Sequence, residues 1–419
     1  MFLFSRRFLP LFLTQFLGAL NDNLLKNALV MLVTYRIATQ SGENAQLLVT
    51  LAAGIFILPF FLFSATAGQL ADKYDRARLT RIIKIAEIVI MLLATIGFAM
   101  ENSAFLLLAL FCMGMHSTFF GPIKYALLPQ HLHEGELLPG NAWIEAGTFL
   151  AILLGTILGG VLVLQQGGTL LVSGALLTCA VLGYISSRFI PHAPGPEPLL
   201  AVSLNLWRET WHIVDFSRVN ARVFRCILGI SWFWLVGATF LSQFPTYVKD
   251  VLHAESGIVT LFLTAFSVGI GVGSFLCSRL LGGHIKSTYV PLACLGMTLF
   301  GVDLYFASQF PITAGGLVNL RQFLESEGSR RIVIDLFLLA VSAGLYIVPL
   351  YAIMQHDSAA EHRARIIAAN NILNALFMVA AAIATMLMLS ASFTTPQVFL
   401  IVSLANGLAA IYISRLKPA

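Results

Sequence analysis

About twelve stretches of this 419-residue chain are continuously apolar and long enough to cross a membrane as helices. That repetition constrains the fold more than any single motif does. The limits fall at 8–33, 46–70, 80–99, 104–127, 142–164, 169–190, 223–247, 257–281, 288–308, 332–354, 365–390 and 395–414. A helix rises about 1.5 Å per residue, so roughly 20 apolar residues cover a hydrocarbon core of about 30 Å. A β-barrel is excluded, because its strands alternate apolar and polar residues instead of running continuously apolar. Composition points the same way: 58% of residues are hydrophobic, 11% are charged, and mean hydropathy is +0.86. Too little polar material remains to solvate one or two water-soluble domains. Disorder is excluded by the same figures.

Arg6 and Arg7 ahead of an apolar run match the start of a secretory leader, with Gly18-Ala19 as small residues near a cleavage point. The apolar pattern resumes after Asn21-Asp22-Asn23 and continues to Val33, so a first transmembrane helix is expected instead. Cations set the orientation, because Lys and Arg accumulate in cytoplasmic loops. With the N-terminus inside, 18 of the 25 fall in inside loops, among them Lys73, Arg76, Arg78, Arg81 and Lys84 after the second span, and Lys417 at the end. Only Arg36, Lys249, Arg321, Arg330 and Arg331 fall outside, while Lys26 and Lys124 lie within or at the edge of spans. Both termini are expected on the cytoplasmic side.

The long inside connection 191–222 divides the chain into bundles at 1–190 and 223–419. Leu204, Trp207, Trp211 and Val214 recur in it at helical spacing beside Arg208 and Arg218. That pattern fits an amphipathic helix on the membrane face or a partly ordered linker. The halves repeat. Val49-Thr50-Leu51 and Val259-Thr260-Leu261 open the second and eighth spans, and a cation, Arg76 or Lys286, follows 27 residues after each valine. Pro122, Tyr125 and Gln130-His131 end the fourth span as Pro349, Tyr351 and Gln355-His356 end the tenth. The expected fold is therefore all-α and membrane-integral, with twelve helices in two six-helix pseudo-repeat bundles, a transporter architecture.

Ionisable groups inside spans are costly and functional by default. Asp22 and Lys26 lie four residues apart, on one helix face, and can neutralise each other. Asn23 and Asn27 add a second polar pair, more than packing alone needs. Lys124 follows Gly121-Pro122, where a broken helix can turn it into a cavity, and Glu145 near the start of the fifth span is a candidate partner. Asn370, Asn371 and Asn374 form an amide cluster at helical spacing. Asp303 and Asp335 are expected in the headgroup region. The glycines at 155, 159 and 160, and at 269, 271 and 273, read as close-packing faces.

Other chemistry finds no support in the pattern. Acyl transfer by a His-x-x-x-x-Asp pair is missing, since His131, His192 and His356 are each followed at that spacing by glutamate. No phosphate loop for ATP occurs, no zinc-like His/Cys spacing, and no basic run with aromatics for nucleic acid. The five cysteines stand singly in apolar surroundings. No cofactor or metal is expected.

The loop Gly68-Gln69-Leu70-Ala71-Asp72-Lys73-Tyr74-Asp75-Arg76 resembles the signature G-x-x-x-D-[RK]-x-G-R-[RK] of the major facilitator superfamily. The match holds at Gly68, Asp72, Lys73 and Arg76 and departs at Asp75, where the family has glycine. An aspartate at a helix end can hold a neighbouring helix N-terminus and a cation, and so latch one of two arrangements. The alternative is an ordinary positive-inside loop. The second copy has Gly282 in place of the acid, so the latch is expected in the first half only.

Longer stretches resemble the bacterial lysophospholipid transporters, including transporter domains fused to acyltransferases. They run from Gln15 to Asn23, Gly121 to Tyr125, Asn141 to Ala146, Ala151 to Gly155 and Ala368 to Asn374. The resemblance implies inward movement of lysophospholipid, chiefly lyso-phosphatidylethanolamine, across the bacterial inner membrane by alternating access. It also implies that Asp22, Asn23, Lys124 and Glu145 line a polar cavity, where Lys124 is expected to face the phosphate and Asp22 or Glu145 the ammonium. A monomer is expected, with membrane lipid around it and an acyltransferase or acyl-carrier-protein synthetase as functional partner. Phe233-Trp234 and Gly237-x-Thr239 match the relatives, but Leu241 stands where stand-alone relatives often have arginine. Rival readings are a drug or metabolite exporter of the same fold and a non-transporting subunit that docks an acyltransferase.

Overall fold

The computed structural model describes residues 2–37, 45–203, 205–309 and 317–416, so Leu204 and Lys417 lie outside the described residues. In chain order the helices are α1 (Leu9–Leu32), α2 (Ala45–Lys73), α3 (Arg76–Ala99), α4 (Ser103–His131), α5 (Glu134–Val163), α6 (Gly168–Ser187) and α7 (Leu206–Ser217). They continue as α8 (Ala221–Thr246), α9 (Gly257–Leu280), α10 (Val290–Ala307), α11 (Leu320–Glu325), α12 (Glu327–His356), α13 (Arg363–Ser390) and α14 (Thr395–Ile413). Among the described residues, eleven helices are long and apolar enough to cross a membrane. The twelfth is α1, whose 24 residues reach ~36 Å but carry Gln15, Asn21, Asp22, Asn23, Lys26 and Asn27.

Helix starts follow capping chemistry more closely than the first apolar residue. Asp75 caps α3 by accepting from the Arg78 N–H, four residues ahead of the apolar limit. Glu136 accepts from the His133 N–H in a capping box, so α5 begins at Glu134, eight residues before the apolar run. Prolines sit inside α2, α4, α5, α8 and α12 without ending them. In particular α4 runs unbroken through Gly121-Pro122, which corrects the expected break at Lys124. Long flanking apolar runs keep such helices intact when one backbone donor is missing.

The chain groups into two compact units, described in turn. The first comprises Met1–Gly140, Leu150–Asn220 and Gln355–Ala375. In it α1 packs on α6, α3 on α4 and α6, and α2 on α4 and α7. Its apolar core joins Leu24, Leu25 and Leu29 of α1 to Met91 and Phe98 of α3, Leu110 and Met113 of α4, and Leu176 of α6. Part of α5 lies directly on α1. A Cβ at Gly155 meets the Leu20 carbonyl oxygen at 2.6 Å, and one at Gly159 meets that of Leu24 at 2.5 Å. The small-residue face thus serves close helix packing.

The second unit comprises Asn141–Phe149, Ala221–Met354 and Leu376–Ala419. Here α10 packs on α14, held by Asn406, which donates from Nδ2 to the Cys294 carbonyl (2.7 Å) and to Thr298 Oγ1 (3.0 Å). Gly269 and Gly273 of α9 lie against the backbone of α12 at Phe337 and Val341. The turn after α9 puts Gly282 and Gly283 at φ of 58° and 80°, a left-handed backbone that suits glycine and leaves no acid where the first half has Asp72.

Gly155 and Gly160 separate packing from propensity. Gly155→Ala forces its methyl group onto backbone and is expected to destabilise by about 1–3 kcal/mol. At Gly160 nothing lies within 4 Å, so Gly160→Ala is neutral or stabilising by about 0.5–1 kcal/mol. Thermal unfolding in detergent reads both, and equal melting temperatures for the two variants would refute the contact.

Candidate functional site

Asp22 and Lys26 share a face of α1, yet they form no direct ion pair, contrary to the sequence expectation. Asp22 Oδ2 accepts from Ser117 Oγ of α4 at 2.7 Å, and Lys26 Nζ lies over the Phe56 ring, 5.6 Å from its centre. Asp22 Oδ1 is shielded from solvent and has no hydrogen-bond partner among the described residues. Asn23 donates to the Ala19 carbonyl, and Asn27 donates to the Asn23 carbonyl and to Thr156 Oγ1 of α5. The two asparagines thus spend their donors largely on the α1 backbone and on α5. Asp22 keeps an open acceptor, as does Asn21 at Oδ1.

A cluster that the sequence reading overlooked lies beside Asp22. Lys84, assigned to the cytoplasmic loop, instead stands two turns inside α3 with no exposed surface. Its Nζ donates to Glu87 Oε2 at 2.6 Å, His116 Nε2 of α4 lies 3.1 Å from the same oxygen, and Asn21 Nδ2 donates to Oε1 at 2.8 Å. All four residues are buried. The Phe120 ring stacks near His116 and takes the Lys84 cation over its face at 5.2 Å. Glycines make the room: a Cβ at Gly18 meets Lys84 Nζ at 2.7 Å. Each member lies about one turn from the apolar core, Asn21 next to Leu24, Glu87 next to Met91 and His116 next to Met113. The signal was available as an acid and a cation three apart in a span, and as a histidine in mid-span.

Further along α4, Lys124 sits over the Tyr125 ring at 4.5 Å. Asn370, Asn371 and Asn374 are buried on α13, and Asn371 packs on Gly121, where a Cβ would meet its Nδ2 at 2.7 Å. Both amide atoms of Asn370 lack a hydrogen-bond partner among the described residues. Glu145 belongs to the second unit and is fully buried. Near it in sequence, Phe149 joins Phe233, Trp234 and Phe266 in an aromatic cluster, and Trp143 meets Phe275 edge-on at 4.6 Å. Leu241 lies two residues past buried Thr239. Asp303 pairs with Arg331, and Asp335 is buried.

The loop joining α2 to α3 is densely bonded. Asp72, with no exposed surface, accepts from the Ala364 N–H (3.1 Å), the Arg365 N–H (3.2 Å) and Arg365 Nε (3.1 Å) at the start of α13. It also pairs with Arg76 Nη2 at 3.1 Å. Gly68 permits the approach, since a Cβ there meets that of Ala368 at 2.8 Å. Arg76 reaches on to Gln130, Arg365 to Glu197, and Lys73 turns to the Tyr74 ring. Asp75, the departure from the signature, has a job of its own. Besides capping α3 it accepts from the Ala193 N–H at 2.7 Å and so ties down the linker. The helix expected in that linker is α7: Thr210, Ile213, Val214 and Ser217 are buried, while Trp207 and Trp211 are exposed.

Comparison with known proteins places these residues in a family context. A family model described as Major Facilitator Superfamily matches residues 11–382. The lysophospholipid transporter LplT of Serratia proteamaculans (strain 568) is 23% identical over 363 residues, covering 84% of this chain and 81% of that protein. LplT of Escherichia coli (strain SE11) is 23% identical over 367 residues with the same coverage. Among solved structures, the human organic anion transporter MFSD10 (TETRAN) superposes with a TM-score of 0.77 at 13% identity, covering 97% of this chain and 99% of that one. A major facilitator transporter, FucP, in the outward conformation gives 0.72 at 12% identity, covering 99% and 100%.

The buried pair predicts a characteristic mutational pattern. Glu87→Leu strands the Lys84 cation and is expected to cost about 3–5 kcal/mol. Combining it with Lys84→Met removes both charges and restores most of the loss. Melting temperatures in detergent test this, and a double variant no better than the single one sinks the pairing account.

Proposed function

The chain belongs to the Major Facilitator Superfamily, and from that premise we propose that it carries lysophospholipid inward across the bacterial inner membrane by alternating access. It is a multi-pass membrane transporter; the substrate, direction and mechanism are our reading. Asp22 carries that reading: a carboxylate midway along α1 whose Oδ2 is held by Ser117 and whose Oδ1 is open. An ammonium headgroup donates to the open oxygen. Lys124 faces the phosphate, and Glu145, Asn23, Lys26, Asn370, Asn371 and Asn374 complete the polar lining. The relatives named lysophospholipid transporters support the substrate class. The acyl chain takes the apolar surroundings of the spans.

In this reading Gly68, Asp72, Lys73 and Arg76 form the latch. Asp72 binds the first turn of α13 with both oxygens, so inward opening breaks three hydrogen bonds there and frees a buried carboxylate. A contact of this kind is two-state and can hold the outward-open arrangement. Bundles at 1–190 and 223–419 joined by 191–222, cytoplasmic termini, a monomer, and an acyltransferase or acyl-carrier-protein synthetase that re-acylates the product complete the proposal.

Uptake of labelled lyso-phosphatidylethanolamine into spheroplasts of a transporter-null strain tests it. A charge-assisted headgroup contact is worth about 1.5–3 kcal/mol, so Asp22→Ala and Lys124→Ala should each lower uptake about ten- to hundredfold. Normal rates in both variants remove the site assignment. Movement of cationic dyes without lysolipid favours an exporter instead.

A further inference from the structure

In the second unit a groove of about 720 Å³ lies between α10 and α12. It is lined by Leu280 of α9, by Tyr289, Leu295, Leu299 and Val302 along α10, and by Leu345 of α12. Leu295 and Leu299 are exposed, so the groove opens sideways, toward lipid in a membrane-spanning bundle. The two helices meet beside it at Gly296, whose Cβ would lie 2.6 Å from Ser342 Oγ. Two hydroxyls within it are spent on their own helices. Ser342 Oγ donates to the Leu338 carbonyl (2.9 Å), and Thr298 Oγ1 donates to the Cys294 carbonyl (3.2 Å). What remains is largely alkyl surface. The stretch from Tyr289 to Val302 rises ~20 Å along the helix axis. One leaflet supplies about 15 Å of hydrocarbon, so the groove matches the reach of a single acyl chain.

The Tyr289 end of the groove is basic. Arg279 immediately precedes Leu280, Lys286 lies three residues ahead of Tyr289, and both are exposed. The end of the chain comes to the same turn: Ser287 Oγ donates to the Leu416 carbonyl at 3.1 Å, and Arg225 Nη1 donates to the Arg415 carbonyl at 2.9 Å. Arg225, Arg279, Lys286 and Arg415 therefore stand at one end of the unit. The stretches of the unit that reach this end, 221–249, 256–302, 336–354 and 376–419, contain no Asp or Glu. Cations without carboxylates, beside an apolar slot open to lipid, complement an anionic headgroup. A tyrosine suits the level between the two. We propose that the groove binds an anionic phospholipid, with an acyl chain between α10 and α12 and the phosphate on Arg279 and Lys286. Its leaflet is the one at the Tyr289 end, cytoplasmic in the proposed orientation. The chemistry is the converse of that at Asp22, where a carboxylate meets an ammonium. Here no acid is present to hold an ammonium, so a headgroup of net negative charge is preferred over a zwitterionic one. The lipid is a resident ligand and not the cargo, and its site stands whether or not lysophospholipid is carried.

Photolabelling tests it. Full-length protein in nanodiscs of phosphatidylcholine receives a trace of phosphatidylglycerol carrying a diazirine in its acyl chain, and peptide mass spectrometry locates the label. A phosphatidylcholine probe and a lyso-phosphatidylethanolamine probe with the same diazirine are run at equal dose. Wild type is expected to take the phosphatidylglycerol label within 280–302 and 342–345. Each basic group favours an anionic lipid about fivefold, so two should raise that label about 25-fold over the phosphatidylcholine probe. Arg279→Gln combined with Lys286→Gln should bring the two probes to within about twofold of each other. Equal labelling of wild type by both probes overturns the proposal without recourse to any variant. So does label that falls outside the groove, a preference that survives in the double variant, or a lysolipid probe that labels the groove as strongly as phosphatidylglycerol. The reading of Asp22 is judged separately, by the uptake assay.

Discussion

A carboxylate buried among helices in lipid persists only when donors surround it, and the first unit is arranged around two of them. Glu87 draws Lys84, His116 and Asn21 together and so fixes how α1, α3 and α4 face one another. Asp72 draws Arg76 and the first turn of α13 together where α2 ends. Apolar contact alone is weakly directional in a membrane, because lipid tails solvate leucine as well as a neighbouring helix does. The buried charges and the small-residue faces supply the direction that hydrophobicity lacks there.

The two carboxylates do different work. Glu87 is saturated with donors and lies just inside the apolar core, so it fixes geometry and stores charge. Asp72 bonds to backbone N–H groups at the start of α13, where the helix dipole reinforces each bond. Asp22 is a third kind of carboxylate: one oxygen is held by Ser117 and the other is open.

Much of this was legible in the chain. The span limits follow the observed helices to within a few residues wherever caps coincide with the apolar boundary. They miss by eight at α5, whose polar first two turns look like loop until His133 and Glu136 are seen to cap it. The signature acid, its glycine and its arginine were legible because their spacing is local. Arg365 and Glu197, which complete the network, lie 293 and 125 positions from Asp72, and no local pattern couples them. Lys84 was misplaced for a related reason. A cation near the start of a span looks like an inside-loop charge unless its partner is known, and Glu87 and His116 come from two helices.

The sequence by itself determined the solvent of this protein, the number of its helices, the presence of a repeat and the short list of charges inside spans. These depend on runs and periods along one stretch, which physics reads locally. Only the tertiary structure decided which charges meet. It separated Asp22 from Lys26, kept α4 unbroken at Pro122, buried Lys84 on Glu87 and gave Asp75 the linker to hold. Most pairing depends on which helix faces come together, which is set by packing across the bundle; Lys84 and Glu87, three apart on α3, are the local exception.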